Sequence, residues 1–263
     1  MKLDWLTAAP IAHRGLHDAA TGVLENTPAA VSRALDAGFS VEIDVRETAD
    51  GEAVVFHDAT LERLTGRKGR VSESTLAELS KLELLGSKER FWTLAECLEL
   101  VAGRGALVIE IKAPWRKDPD FARRVAEQVA GRGEPIAVKS FNPRAIAAVR
   151  EVAPKLARGI IGEAFADDDP AWKHLTTRQR ANARDVKHRK KTKPHFLSWD
   201  MNDLPRTIVA EARERGLPVL TWTVTNPEEQ TRALAYADQI VFEGFTPAAA
   251  GAPGAEDAQE RTA

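Results

Sequence analysis

The stretch that most constrains this chain runs from Val41 to Asp58, V-E-I-D-V-R-E-T-A-D-G-E-A-V-V-F-H-D. Side chains two apart on a strand share a face, so Glu42 and Asp44 project together while Val41, Ile43 and Val45 fill the other side. Asp50-Gly51 is a strong hairpin signal, and the apolar return Ala53-Val54-Val55-Phe56 carries His57-Asp58 back toward the start. Two carboxylates and an imidazole are thereby gathered by local chain geometry. A Glu-x-Asp in a strand is ordinarily a pair of solvated charges, but here it lies between apolar residues in a strand that should be central. His57-Asp58 has its own plain reading, a turn with a helix-capping Asp.

The chain has 263 residues, of which 43% are hydrophobic, enough for one large α/β domain or two small ones. A formal net charge of −2 with 29% charged residues argues against a dedicated nucleic-acid binder, so no nucleic-acid partner is expected. Cys97 stands alone, which excludes an intrachain disulfide, a thiolate zinc site and an iron–sulfur cluster. The apolar run near the N-terminus is too short for a signal peptide, and nothing later approaches the roughly 18 apolar residues of a membrane span. A soluble, cytoplasmic protein is expected.

Ile11-Ala12 leads into His13-Arg14-Gly15, where glycine lets the backbone turn. Thr27-Pro28 opens a helix that stops at Gly38, with Thr as the cap and Pro in the first turn. After the 41–58 hairpin, Leu61 to Arg70 reads most simply as a loop, and Ser74 to Leu82 and Thr93 to Val101 have helical spacing. Leu107 to Lys112 is a clear strand. Helices near 118–131, 143–152, 205–215 and 227–234 then alternate with strands at 135–138, 157–161, 196–199, 218–223 and 239–242. Leaving the hairpin's return arm aside, eight strands alternate with helices or longer connections. That is the size and order of a (β/α)8 TIM barrel with a small hairpin and loop insertion after the second strand. A doubly wound sheet is the runner-up, but no G-x-G-x-x-G or Walker loop follows the first strand. One domain over 1–247 is expected, with 248–263 as a disordered tail.

In such barrels the chemistry sits where strands end. His13 and Arg14, Glu42 and Asp44, Glu110 and Lys112, and Trp222 all fall at strand ends on one rim. Glu42, Asp44 and Glu110 are three hard oxygen donors without a sulfur, which suits Mg²⁺ or Ca²⁺ better than zinc. Together with a divalent ion, Arg14 and Lys112 they leave a net positive site into which an anionic phosphodiester fits. His13 and His57 can serve as an acid and base pair, one taking the proton of the attacking oxygen and the other protonating the leaving alkoxide. Taken singly, Glu110-x-Lys112 reads as an ion pair, Trp222 as core and Arg14 as nothing in particular. Their combination carries the reading. Trp222 is the best-placed ring on this rim to pack against the apolar part of a substrate.

The motifs resemble those of the glycerophosphodiester phosphodiesterases over nearly the whole chain. They are His13-Arg14-Gly15, Glu25-Asn26-Thr27, Glu42-Ile43-Asp44-Val45, Asp50-Gly51, His57-Asp58, Leu61-x-Arg63-x-Thr65-Gly66-x-x-Gly69, Glu110-Ile111-Lys112, Ser140-Phe141 and Trp222-Thr223-Val224. The resemblance implies a TIM barrel, a divalent cation on Glu42, Asp44 and Glu110, catalytic His13 and His57, and phosphate contacts from Arg14 and Lys112. It also implies hydrolysis of a glycerophosphodiester to sn-glycerol 3-phosphate and an alcohol, with the glycerol hydroxyl as first nucleophile through a cyclic phosphate. Departures are Leu24, where the family usually has Pro, Phe242-Glu243 in place of Thr-Asp, and Ser198-Trp199-Asp200, which has no counterpart.

Arg178 to Lys193 carries eight Lys or Arg against one Asp. It reads as a solvated helix followed by a loop, with weak contact to an anionic substrate or a phospholipid surface as the sharper reading. Trp172 is the only aromatic nearby to support membrane contact. Two other functions fit the motifs, a phospholipase C- or D-like activity on lysophospholipids and a non-catalytic phosphodiester-binding barrel. The second would be expected to lose a carboxylate or a histidine, and none is missing.

Overall fold

A computed structural model describes residues 2–116 and 118–247, so the tail expected at 248–263 lies outside the described residues. Eight parallel strands close into a barrel: β1 (Ile11–Ala12), β2 (Ser40–Glu47), β4 (Leu107–Ile111), β5 (Ile136–Ser140), β6 (Ala157–Gly162), β7 (Phe196–Asp200), β8 (Val219–Val224) and β9 (Gln239–Phe242). β1 pairs with both β2 and β9, which closes the ring. β3 (Ala53–Val55) is the hairpin's return arm, antiparallel to the far end of β2. Gly51, at φ +85°, makes the turn, where a side chain would be strained.

Helices fill the connections: α1 (Pro28–Asp36), α2 (Leu94–Val101), α3 (Asp120–Val129), α4 (Pro143–Val152), α5 (Thr177–Arg184), α6 (Thr207–Glu214) and α7 (Pro227–Leu234). Thr27 caps α1 by accepting from the Ala30 amide at 3.2 Å, and Pro28 starts it, the pattern read from the sequence. Two local expectations are corrected. The loop expected over 61–70 holds one helical turn, Glu62–Thr65, stopped by Gly66 in the left-handed region. The helix expected over 74–82 shrinks to Leu76–Leu79, because its apolar residues cover the hairpin rather than a barrel strand.

The barrel interior begins with a layer of Ile11, Val108, Ala137, Ala157, Phe196, Leu220 and Val241, one from each of seven strands, closed below by Leu3 and Leu6. Glycines on β6 make room for large neighbours: a Cβ on Gly159 or Gly162 would run into the rings of Phe196 and Trp199. Alternation then decides the rim. Two residues beyond that layer, Glu110, Lys139, Ser198, Trp222 and Glu243 share the inward face at the C-terminal ends of their strands. Among the described residues no helix is long and apolar enough to cross a membrane.

Candidate active site

The pairing of β2 with β4 sets Asp44 opposite Glu110, and that of β4 with β5 sets Glu110 opposite Lys139, so the three share one face. Glu42 lies two residues earlier on the same face. One oxygen from each of Glu42, Asp44 and Glu110 falls within 4.8 Å of the others, and all three residues are buried. Lys112 Nζ lies 2.7 Å from Glu110 Oε1 and 2.9 Å from Asp44 Oδ1, Lys139 Nζ lies 3.0 Å from Glu42 Oε1, and Arg14 Nε lies 3.3 Å from Asp44 Oδ2. Burial alone would push the Asp44 carboxyl up, but Lys112, His57, Arg14 and His13 outweigh it and hold that group well below the carboxylate range.

Two of these oxygens, Glu42 Oε1 and Asp44 Oδ1, have a cation at ionic distance but no donor aligned for a hydrogen bond. Two buried carboxylate oxygens of β2 without aligned donors, with a Glu110 oxygen of β4 beside them, are a donor set that fits a hard divalent ion. Asn26 braces the site from the side: its Nδ2 donates to Asp44 Oδ2 at 2.9 Å, and its Oδ1 accepts from the Asp44 amide at 3.1 Å.

Both histidines are held from behind by a carboxylate. His57 Nδ1 is 2.7 Å from Asp58 Oδ1, and His13 Nδ1 is 2.6 Å from Glu243 Oε2. A carboxylate can only accept, so each Nδ1–H is spent on it and each Nε2 is left for chemistry. Burial pulls His57 below the usual imidazole value despite the charge of Asp44, which keeps the ring neutral near pH 7. Asp58 is not a helix cap: it also accepts from Arg63 Nε at 2.6 Å, and Arg63 in turn bridges to Glu25, whose Oε1 accepts from Arg14 NH1 at 2.8 Å. The hydrogen bond from His13, with His17 Nε2 behind it at 3.5 Å, keeps the Glu243 carboxyl well below its usual range. Arg14 sits at φ +56° inside the tight His13-Arg14-Gly15 turn, a strained conformation for such a side chain, and Asn26 at φ +58°, which asparagine tolerates, donates its amide to the Arg14 carbonyl at 2.8 Å.

Residues 13–242 match the glycerophosphoryl diester phosphodiesterase family. The chain belongs to that family. A glycerophosphodiester phosphodiesterase from Caldanaerobacter subterraneus subsp. tengcongensis is 31% identical over 234 residues, covering 85% of this chain and 88% of the relative. Among solved structures, a protein from Silicibacter pomeroyi DSS-3 is 28% identical with a TM-score of 0.69, covering 88% of each chain. A phosphodiesterase from Oleispira antarctica in complex with sn-glycerol 3-phosphate shares the fold at a TM-score of 0.73 and 24% identity, over 89% of this chain and 92% of that one. This chain is therefore an enzyme of the glycerophosphodiester phosphodiesterase family on a TIM barrel.

Of the residues singled out in the sequence, the structure gathers His13, Arg14, Glu42, Asp44, His57, Glu110 and Lys112 at one end of the barrel, around Asp44. Trp222 stands on the same rim, its ring edge-on to Phe141 with centroids 5.6 Å apart and its buried Nε1–H without an acceptor among the described residues. Lys139 and Glu243 were not singled out for roles here. Lys139 is 3% exposed, and only its inward orientation on β5 distinguishes it from an ordinary strand lysine. The basic segment forms α5 and a short helix at Arg189–Thr192. Trp172 does not face outward: it is 8% exposed, packs on Phe165 and Phe141, and donates from Nε1 to Glu163.

Proposed function

We propose that this protein hydrolyses glycerophosphodiesters to sn-glycerol 3-phosphate and an alcohol, with a Mg²⁺ or Ca²⁺ ion on Glu42, Asp44 and Glu110 and with His57 and His13 as base and acid. The observation that carries this reading is the convergence of three buried carboxylates with two carboxylate-backed imidazoles at adjacent strand ends, in a chain of this family. When bound, the ion supplies Lewis-acid polarisation of the phosphoryl oxygen and offsets charge in the transition state. Arg14 and Lys112, already beside Asp44, add positive charge where the phosphate sits. His57, kept neutral by burial, removes a proton from the attacking hydroxyl through Nε2. His13 gives a proton from Nε2 to the departing alkoxide, an alkoxide being too basic to leave unassisted; with the glycerol hydroxyl as nucleophile this leaves a cyclic phosphate, which water opens to sn-glycerol 3-phosphate with the two rings exchanging roles. The test is an assay of glycerophosphodiesters and lysophospholipids with Mg²⁺, Ca²⁺ and EDTA; metal-independent turnover, or turnover of lysophospholipids alone, would refute it.

Trp222 offers a flat face to the glycerol carbons and an unused N–H to one of its hydroxyls. Trp222→Ala is expected to raise KM for a glycerophosphodiester roughly tenfold while changing hydrolysis of bis(p-nitrophenyl) phosphate little. Equal losses on both substrates would return the ring to a packing role.

Glu243 acts on the reaction through His13 and is a positioning residue. Glu243→Gln keeps an acceptor for Nδ1–H but removes the charge, and a charge-assisted hydrogen bond of this kind sustains roughly a tenfold effect on kcat with KM held. Glu243→Asp should keep more activity than Glu243→Gln. A pH–rate profile unchanged in Glu243→Gln would separate Glu243 from the proton transfer altogether.

A further inference from the structure

A cavity of about 410 Å³ opens beside the carboxylates and includes Glu110 and Lys112 in its lining. Three arginines line it, Arg46, Arg70 and Arg116, together with the aromatic residues Trp115, Phe141 and Trp172. Trp172 stands 5.0 Å from Phe141 and 6.5 Å from Trp115, centroid to centroid, in tilted and edge-on contacts that fix the wall.

Arg46 follows Asp44 by two residues on the inward face of β2. Its Nε donates to the His57 carbonyl at 2.6 Å, and its two terminal nitrogens hydrogen-bond to none of the described residues. The carboxylates near it are engaged elsewhere, Asp44 and Glu110 by Lys112 and Asp58 by Arg63 and His57. Arg70 lies close enough to oppose the Arg46 charge, and the carboxylate nearest to Arg70, Glu73, is 3.9 Å away and exposed. Arg116 donates to the His174 carbonyl at 3.1 Å. Among the described residues Glu110 is the one carboxylate lining the cavity, and Lys112 already pairs with it at 2.7 Å. Cations crowded around a void repel one another until an anion enters it.

We infer that this cavity takes the alcohol half of the diester and selects alcohols that carry a second anionic group, such as a phosphate ester. This rests on the phosphodiesterase reading above. Glycerol has no ionisable group, so it gives guanidinium forks nothing to pair with, whereas phosphate oxygens match them in charge and geometry. Aromatic walls alone suit a quaternary ammonium, but three guanidinium groups in the same cavity oppose one. The pocket therefore disfavours choline.

Three glycerophosphodiesters that differ in the alcohol test this: those of inositol 4-phosphate, inositol and choline, compared at low ionic strength. kcat/KM is expected to fall in that order, by about tenfold between the first two, the effect of one charge-assisted hydrogen bond. In Arg70→Gln/Arg116→Gln, both at exposed positions, the ratio between the inositol 4-phosphate and inositol diesters should collapse toward one. An unchanged ratio, or choline as the preferred alcohol, would overturn the inference while leaving the phosphodiesterase reading intact. Calorimetric binding of the same diesters to His57→Ala separates the two further. A preference for the inositol 4-phosphate diester that the double substitution removes would support the cavity's role even if the wild type turned over none of them. Equal affinities would overturn it.

Discussion

EDTA is expected to lower diester hydrolysis by about a thousandfold, and Mg²⁺ or Ca²⁺ to restore it, since several kcal/mol of transition-state stabilisation are lost with the ion. The reason lies in the electrostatics of the rim. Carboxylate oxygens within 4.8 Å of one another repel by roughly 3–4 kcal/mol per pair at an effective dielectric constant of about 20. Lys112, Lys139 and Arg14 offset much of this, yet they leave Glu42 Oε1 and Asp44 Oδ1 without aligned donors. A divalent ion held by Glu42, Asp44 and Glu110 would offset the charge that remains. Glu42→Gln, Asp44→Asn and Glu110→Gln each keep the shape and remove one charge, and each should abolish activity. The same substitutions should weaken the rise in Tm that the ion gives the wild type, because a ligand bound only by the folded state stabilises it. Full turnover by Glu110→Gln in EDTA would sink the assignment.

The period of two made much of this site readable. Glu42-x-Asp44 and Glu110-x-Lys112 had to share a face of their strands, and Asp50-Gly51 had to return the chain, so four of the charged groups followed from local geometry. Eight strands in order gave the barrel, and the barrel gave the rim. What stayed hidden depends on closure. Glu243 backs His13 across 230 residues of sequence, a contact that exists only because β9 docks beside β1. From the chain alone Glu243 was only a departure from Thr-Asp. Lys139 sits in Ile-Ala-Val-Lys-Ser, where nothing local tells an inward lysine from a solvated one until the strand's face is known. The helical spacing over Ser74 to Leu82 misled for a related reason: its apolar residues serve a satellite cluster over the hairpin, which one turn of helix is enough to cover.

The two histidines span that division, His57 carried by the hairpin and backed by its neighbour Asp58, His13 backed only through barrel closure, and they give the second large effect. His57→Ala and His13→Ala are each expected to reduce kcat by about 10²- to 10⁴-fold with little change in KM, because the imidazoles act on protons in flight rather than on the bound phosphate. The two act on one transition state, so the double variant should lose far less than the product of the single losses. The pH profile carries the sign. Burial lowers the His57 value, so the neutral ring that serves as base persists to a lower pH than a free imidazole would allow. kcat/KM should hold as pH falls through about 6.5 and decline only below it. In His57→Ala that acid limb should vanish along with most of the rate, while its circular-dichroism spectrum stays that of the wild type, since the ring is only half-buried and its removal opens toward the rim. A His57→Ala protein with near-normal kcat would reduce His57-Asp58 to a turn that anchors Arg63, and the base would have to be sought among the groups around Glu243.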